Sequence, residues 1–442
     1  MISWWNARRF RTQLLVIMGL GFLIRVLYLM FVTRDDRLWG DAYAYYWSGR
    51  LLAEGHGFIQ PLPWVANHVR IESPDRPPGY FLFLGFWSLI GIKSWLAQRF
   101  FSTLMGVGTI ALVGLLGKEV SGKRVGLVSA FIAAVYPYFW IHDGMGMSET
   151  MTLFTVTLCL LTAYKYWKQP SWKRALWLGL AGGVGALTHP DTAMILALLG
   201  ISVVILAKGE PWKRRVGHFV LVGAAGVLVI SPWVVRNLVV FDEPVYLSTG
   251  LDITMAVTNC DQTYHGEYRA FWYMPCATDH TPPEGDLSVQ AVYWRHLAFD
   301  YMSAHKSELP GVVAARVGRM WGLYRPTQQV RLNILEGHRT WISWMGLGFF
   351  YVLTPSAIAG LVLLRRRKVP IIPFLAPVFT VTFSAIITFG NTRYRAAAEI
   401  TLAVCAAVAF VALWDRLRSG PAEPVEAAPP PEEDRALVDA GV

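Results

Sequence analysis

The chain has 442 residues, of which 54% are hydrophobic and 16% charged, and it carries a formal charge of +10. That balance excludes an ordinary soluble domain, where charged residues make up about a quarter of the chain. It excludes a nucleic-acid binder as well, because the basic residues stand in short loops between apolar runs rather than in a patch, and no nucleic-acid motif is present.

The N-terminal stretch MISWWNARRFRTQ leads into an apolar run over 14–32. The run is too long for a signal peptide and lacks a small-residue cleavage site, so it reads as an uncleaved first span with a cytoplasmic N-terminus. Arg25 lies near its middle, either as a functional intramembrane charge or as one half of a pair with a neighbouring helix. Further apolar runs follow at 97–116, 125–141, 149–166, 175–188, 190–207, 216–235, 342–364, 370–389 and 396–414. Most are close to the ~20 residues that cross ~30 Å of hydrocarbon as a helix. The basic loops GKEVSGKR, KYWKQPSWKR, KGEPWKRR and RRRK belong on the cytoplasmic side.

The segment Pro77–Gly91 is apolar but only about 14 residues long after its prolines, which suits an interfacial or re-entrant position. Counting it as a crossing would also put every later basic loop outside. Residues 34–96 therefore form one extracytoplasmic loop, and 142–149, 186–191, 236–341 and 390–395 share that side. The fold expected is an all-α polytopic membrane protein of about ten transmembrane helices plus interfacial helices, with a small extracytoplasmic mixed segment. Its parts are an N-terminal transmembrane module over 1–235, the outer segment 236–341, C-terminal transmembrane helices over 342–415, and a cytoplasmic tail over 416–442 of disordered composition. Within the outer segment, DHTPPEGD reads as a loop and SVQAVYWRHLAFDYMSAH as an amphipathic helix. Cys260 and Cys276 share that segment and, if it lies outside, pair as a disulfide. Cys159 and Cys405 lie in apolar runs as small core residues.

In GDAYAYYWSGRLLAEG, residues Ala42, Tyr45, Tyr46, Gly49, Leu52 and Ala53 fall at helical spacing and describe an amphipathic interfacial helix. Asp41 at its head suits first of all an N-cap, the spacing alone favouring that role over a base at the outer mouth of the bundle. Glu149, next to Ser148, suits the dipole of a helix start or a second acid. His142 and Asp143 stand nearby as hydrated loop residues or as further site groups. Arg76 in PDRPPGY and Arg393 and Arg395 in NTRYR are outer-face arginines, whose planar forks suit a lipid phosphate.

These stretches together resemble the polytopic GT-C glycosyltransferases that use polyprenyl-phosphate sugars, the protein O-mannosyltransferase and aminoarabinose transferase group among them. The resemblance rests on GDAYAYYWSGRLLAEGHGF, RPPGYFLFLGFWSLIG, AVYPYFWIHDGMGMSETMTLF, SPWVVRNLVVFDEPVYLSTG and FGNTRYRAAAEITLAVCAA, and it runs from about residue 14 to 414. It implies an inverting transferase that moves a sugar from a polyprenyl-phosphate donor to a glycan, lipid or protein acceptor at the outer face of the plasma membrane. Asp41 is then the base toward the acceptor and Glu149 the second acid. Arg76, Arg393 and Arg395 hold the donor phosphate, with His142, Asp143 and Tyr394 as additional site candidates. Where the family has a proline after RYR, this chain has Ala396, and its central outer segment diverges. No residue cluster demands a metal, although a divalent cation, Mg or Mn, could share the charge work. A lipid-sugar flippase, an oligosaccharide polymerase or ligase and a non-catalytic subunit are the alternatives. A flippase would place its charges along a midplane path, and a polymerase would yield a chain as product.

Overall fold

A computed structural model describes residues 9–207 and 209–418; most of the tail expected to be disordered lies outside the described residues. Ten of the helices coincide with the ten apolar runs: Phe10–Phe31, Trp95–Ser121, Lys123–Val135, Glu149–Lys168, Trp172–Thr188, Asp191–Leu206, Trp212–Val240, Thr340–Arg366, Ile372–Ile387 and Ala396–Arg418. Five helical segments among the described residues are long and apolar enough to cross a membrane by length and composition alone. The others are shorter or less apolar. Pro232, Pro355 and Pro377 sit inside helices, which membrane helices tolerate where neighbours satisfy the freed carbonyls.

The Ala396–Arg418 helix is the centre of the bundle, packing against Thr340–Arg366, Lys123–Val135, Ile372–Ile387 and Glu149–Lys168. Every residue from Ala396 to Val408 is buried. Its run of alanines explains the position, since small side chains let helix backbones approach and gain dispersion contacts that lipid cannot supply. The approach is closest at Gly360, where a Cβ would stand 1.8 Å from the Cys405 carbonyl oxygen. Likewise Gly179 lies against Val222 where Trp172–Thr188 meets Trp212–Val240.

Pro77–Gly91 forms only the short helix Gly79–Leu89, in keeping with a segment that does not span. It packs backbone to backbone on the helix Gly40–Ala53, a Cβ at Gly49 falling 2.8 Å from the Phe81 carbonyl oxygen. Two tyrosines of that second helix hold it to the protein. Tyr45 is buried and donates to Ser148 Oγ at 2.9 Å, and Tyr46 is buried and donates to the Lys93 carbonyl at 2.8 Å. The outer segment, expected to be mixed, contains short helices without a strand among the described residues, including Leu287–Ala304 where the amphipathic pattern placed one. Cys260 and Cys276 are joined as a disulfide, and Cys159 and Cys405 are buried and free.

Candidate active site

The two stacked helices bring Asp41 and Arg76 to the same place. Asp41 is the second residue of Gly40–Ala53, and the position before that helix is Trp39, with no side-chain cap. The capping role open to Asp41 is therefore not the one it takes. Its Oδ1 accepts from Arg76 Nη2 at 2.6 Å and its Oδ2 from Arg393 Nη2 at 2.7 Å. The segment carrying Arg76 is held from two sides. Thr249 N donates to the Pro74 carbonyl at 3.1 Å, and Arg236 reaches from Trp212–Val240 to Glu72 at 2.5 Å and to the Ser73 carbonyl at 3.2 Å.

Arg393 is the hub. It lies in the 3-10 turn Thr392–Arg395, is 5% exposed, and gives each of its three guanidinium nitrogens to a different carboxylate. Nη2 meets Asp41 at 2.7 Å, Nε meets Glu149, and Nη1 meets Glu336 Oε2 at 2.7 Å. Glu149 begins the helix Glu149–Lys168; Ser148 precedes it and makes no capping bond. Glu336 comes from the 3-10 turn Asn333–Glu336, and its other oxygen accepts from Trp272 Nε1 at 2.8 Å and Asn391 Nδ2 at 3.0 Å.

The ion pairs set the electrostatics. Burial disfavours the Asp41 carboxylate, but the guanidiniums of Arg393 and Arg76 outweigh it and hold the group well below the usual carboxylate range. Asp41 is 28% exposed and Arg76 35%, so both face the open space beside them. That space is a cavity of about 650 Å³ lined by Asp41, Tyr45, Arg76, Trp272, Trp294, Glu336, Arg393 and Tyr394, with His189, Asp191 and Ser384 on another part of its wall. The volume is that of a small-molecule site.

The structure thus brings Asp41, Glu149, Arg76 and Arg393 together, and Tyr394 lines the same cavity. Arg395 does not join them. It is fully buried, pairs with Glu399 at 2.6 Å, donates to the Met320 carbonyl at 2.8 Å and lies 3.6 Å over the Phe350 ring. Asp143 is buried behind the site, accepting from Arg25 Nε and from Thr150 Oγ1, both at 2.8 Å, so Arg25 is one half of an interhelical pair. His142 is buried beside His338 at 5.4 Å between ring centroids. Burial, with the Arg393 charge adding to it, pushes its imidazole down to about 3, where it stays neutral. The residue that sequence reasoning missed is Glu336. The only available signal was an acid in the outer segment, in a stretch, NILEGHR, without periodicity or motif.

A divalent cation fits this arrangement poorly. The point on which the three carboxylates converge is filled by Arg393, and among the described residues no group of three His, Cys, Asp or Glu side chains is placed to hold a metal ion.

Residues 75–235 match the family model described as dolichyl-phosphate-mannose-protein mannosyltransferase. An uncharacterized protein of Aquifex aeolicus is 24% identical over 215 residues, 48% of this chain and 42% of that protein. The oligosaccharyltransferase of Archaeoglobus fulgidus in its apo form superposes over 94% of this chain and 52% of its own, with TM-score 0.55 and 14% identity. The same archaeal enzyme, AglB, in complex with an inhibitory peptide and a dolichol-phosphate gives TM-score 0.54 and 16% identity over 92% of this chain and 51% of that one. Its complex with Zn and sulfate gives TM-score 0.51 and 15% identity over 91% and 50%. The chain spans about half the length of these relatives. The chain therefore shares the fold of the archaeal oligosaccharyltransferase, and its residues 75–235 resemble the mannosyltransferase family model.

Proposed function

We propose that the protein transfers a sugar from a polyprenyl-phosphate donor to an acceptor, with inversion at the anomeric carbon, at the extracytoplasmic face of the membrane. The observation that carries this reading is Asp41 held between Arg76 and Arg393 at the wall of a 650 Å³ cavity. The mannosyltransferase family match and the dolichol-phosphate complex of the archaeal neighbour agree with it. The acceptor hydroxyl attacks C1 of the sugar while the bond from C1 to the phosphate oxygen breaks. Asp41 takes the hydroxyl proton, and the lipid phosphate departs against Arg76, the more open of the two guanidiniums. Occupation of Arg76 by the donor phosphate releases part of the grip on Asp41 and makes it a better base at the moment it is needed. Glu149 stays tied to Arg393 and keeps that residue aimed at Asp41.

The test is sugar transfer by the purified protein in lipid, supplied with lipid-phosphate sugars and cell-envelope acceptors. A comparison of envelope glycans from cells with and without the protein chooses the substrates. Asp41→Asn abolishes transfer while the protein stays folded. Turnover at the wild-type rate in that variant removes Asp41 from the base role.

A further inference from the structure

Three carboxylates from three distant parts of the chain converge on one buried point, and the chain itself fills that point with a positive charge. Asp41 comes from Gly40–Ala53, Glu149 from the head of Glu149–Lys168, and Glu336 from the turn Asn333–Glu336. Each meets its own nitrogen of Arg393, which is 5% exposed. Side by side and largely out of water, these acids would repel one another without a cation between them. The guanidinium is planar, permanently charged and offers its donors in a fixed fork, so it sets the angle between the three acids and, together with Arg76 on Asp41, offsets part of their charge.

We propose that Arg393 is a built-in cation for this site: it holds the three carboxylates as a divalent ion would otherwise have to, and the protein works without a resident metal. The proposal rests on the transferase reading for its link to activity, but the cation site itself is a property of the four side chains. Two consequences follow from geometry. In the wild type, an added metal must displace a residue that already satisfies three acids, so it gains nothing there. With Arg393 cut back to alanine, the three carboxylates are left around a gap. They were spaced for a guanidinium, wider than the ~2.0–2.6 Å bonds of Mg or Ca allow for direct coordination by all three, so the gap suits a hydrated divalent ion.

The experiment uses the full chain, purified in detergent and stripped with EDTA. Binding of Mn2+ is read by calorimetry and electron paramagnetic resonance, and thermal unfolding is followed with and without millimolar MnCl2. Wild type takes up no Mn2+ at this site, and its unfolding midpoint does not move. Arg393→Ala takes up a single Mn2+, unfolds at a higher temperature with the ion than without it, and loses both effects when Glu336→Gln is added. Arg393→Lys, which keeps a charge at the point and so protects the fold, takes up none. Transfer by the wild type is unchanged by EDTA, and Arg393→Ala loses about 100-fold or more. Wild-type transfer that EDTA abolishes and Mg2+ or Mn2+ restores overturns the proposal. So does Mn2+ uptake by wild type or by Arg393→Lys, or failure of Arg393→Ala to take up the ion. Absence of transfer with every donor would count against the transferase reading alone, because the Mn2+ comparison needs no substrate.

Discussion

Replacing Glu336 with glutamine isolates the contribution of the third acid on Arg393. The carboxylate accepts three bonds: from Arg393 Nη1 at 2.7 Å, Trp272 Nε1 at 2.8 Å and Asn391 Nδ2 at 3.0 Å. Glutamine has the same shape but one acceptor oxygen, so its NH2 must face a donor. If the NH2 turns toward Arg393, the charge-assisted bond is lost, worth about 1.5–3 kcal/mol. Arg393 keeps Asp41 and Glu149, so no uncompensated buried charge is left and the ~3–5 kcal/mol penalty for stranding a buried ion is not incurred in full. The protein should therefore fold. Arg393, freed on one side, no longer fixes the direction in which Asp41 and Glu149 point. If that alignment matters only in the transition state, 1.5–3 kcal/mol corresponds to a fall in kcat of roughly 10- to 150-fold, with KM for the donor little changed. The assay is single-substrate transfer kinetics beside thermal unfolding of the same preparation. Wild-type kcat in a folded Glu336→Gln protein would refute the idea that the third acid positions the hub.

Two other perturbations test separate links. Asp41 is held low by Arg393 and Arg76, so it stays ionised to below the ordinary aspartate value of about 3.9, and the stability its ion pairs contribute is lost only as pH falls below that value. The pH dependence of kcat/KM should show no acid limb from Asp41 across the ordinary carboxylate range, whereas Arg76→Met removes one guanidinium and moves such a limb to higher pH; a limb unmoved or moved lower contradicts the clamp. Gly360→Ala puts a methyl against the Cys405 backbone, 1.8 Å from its oxygen and 2.6 Å from its carbon, forces two central helices apart, and should cost about 1–3 kcal/mol or more in thermal unfolding. Gly348→Ala on the same helix meets nothing within 4 Å and should be neutral or slightly stabilising, so equal behaviour of the two variants would undo the close-packing argument.

The amino-acid order alone determined where the ten apolar helices lie and which charges stand between them. Apolar runs separated by basic loops leave the backbone few ways to satisfy its hydrogen bonds in hydrocarbon, and ten helices stand where the runs predicted them. It also singled out Asp41, Glu149, Arg76 and Arg393, because charged residues at the ends of apolar runs are conspicuous. What it could not do is tell Arg393 from Arg395. The two are alike in NTRYR, but residues two apart on a 3-10 turn point about 120° away from each other. One therefore faces the cavity and its three acids, while the other enters the core to meet Glu399 a turn further on. Nor could it join Glu336 to Glu149. These residues lie far apart in the chain and share no spacing rule, and they become neighbours only because the outer segment folds back over the end of the bundle onto one guanidinium.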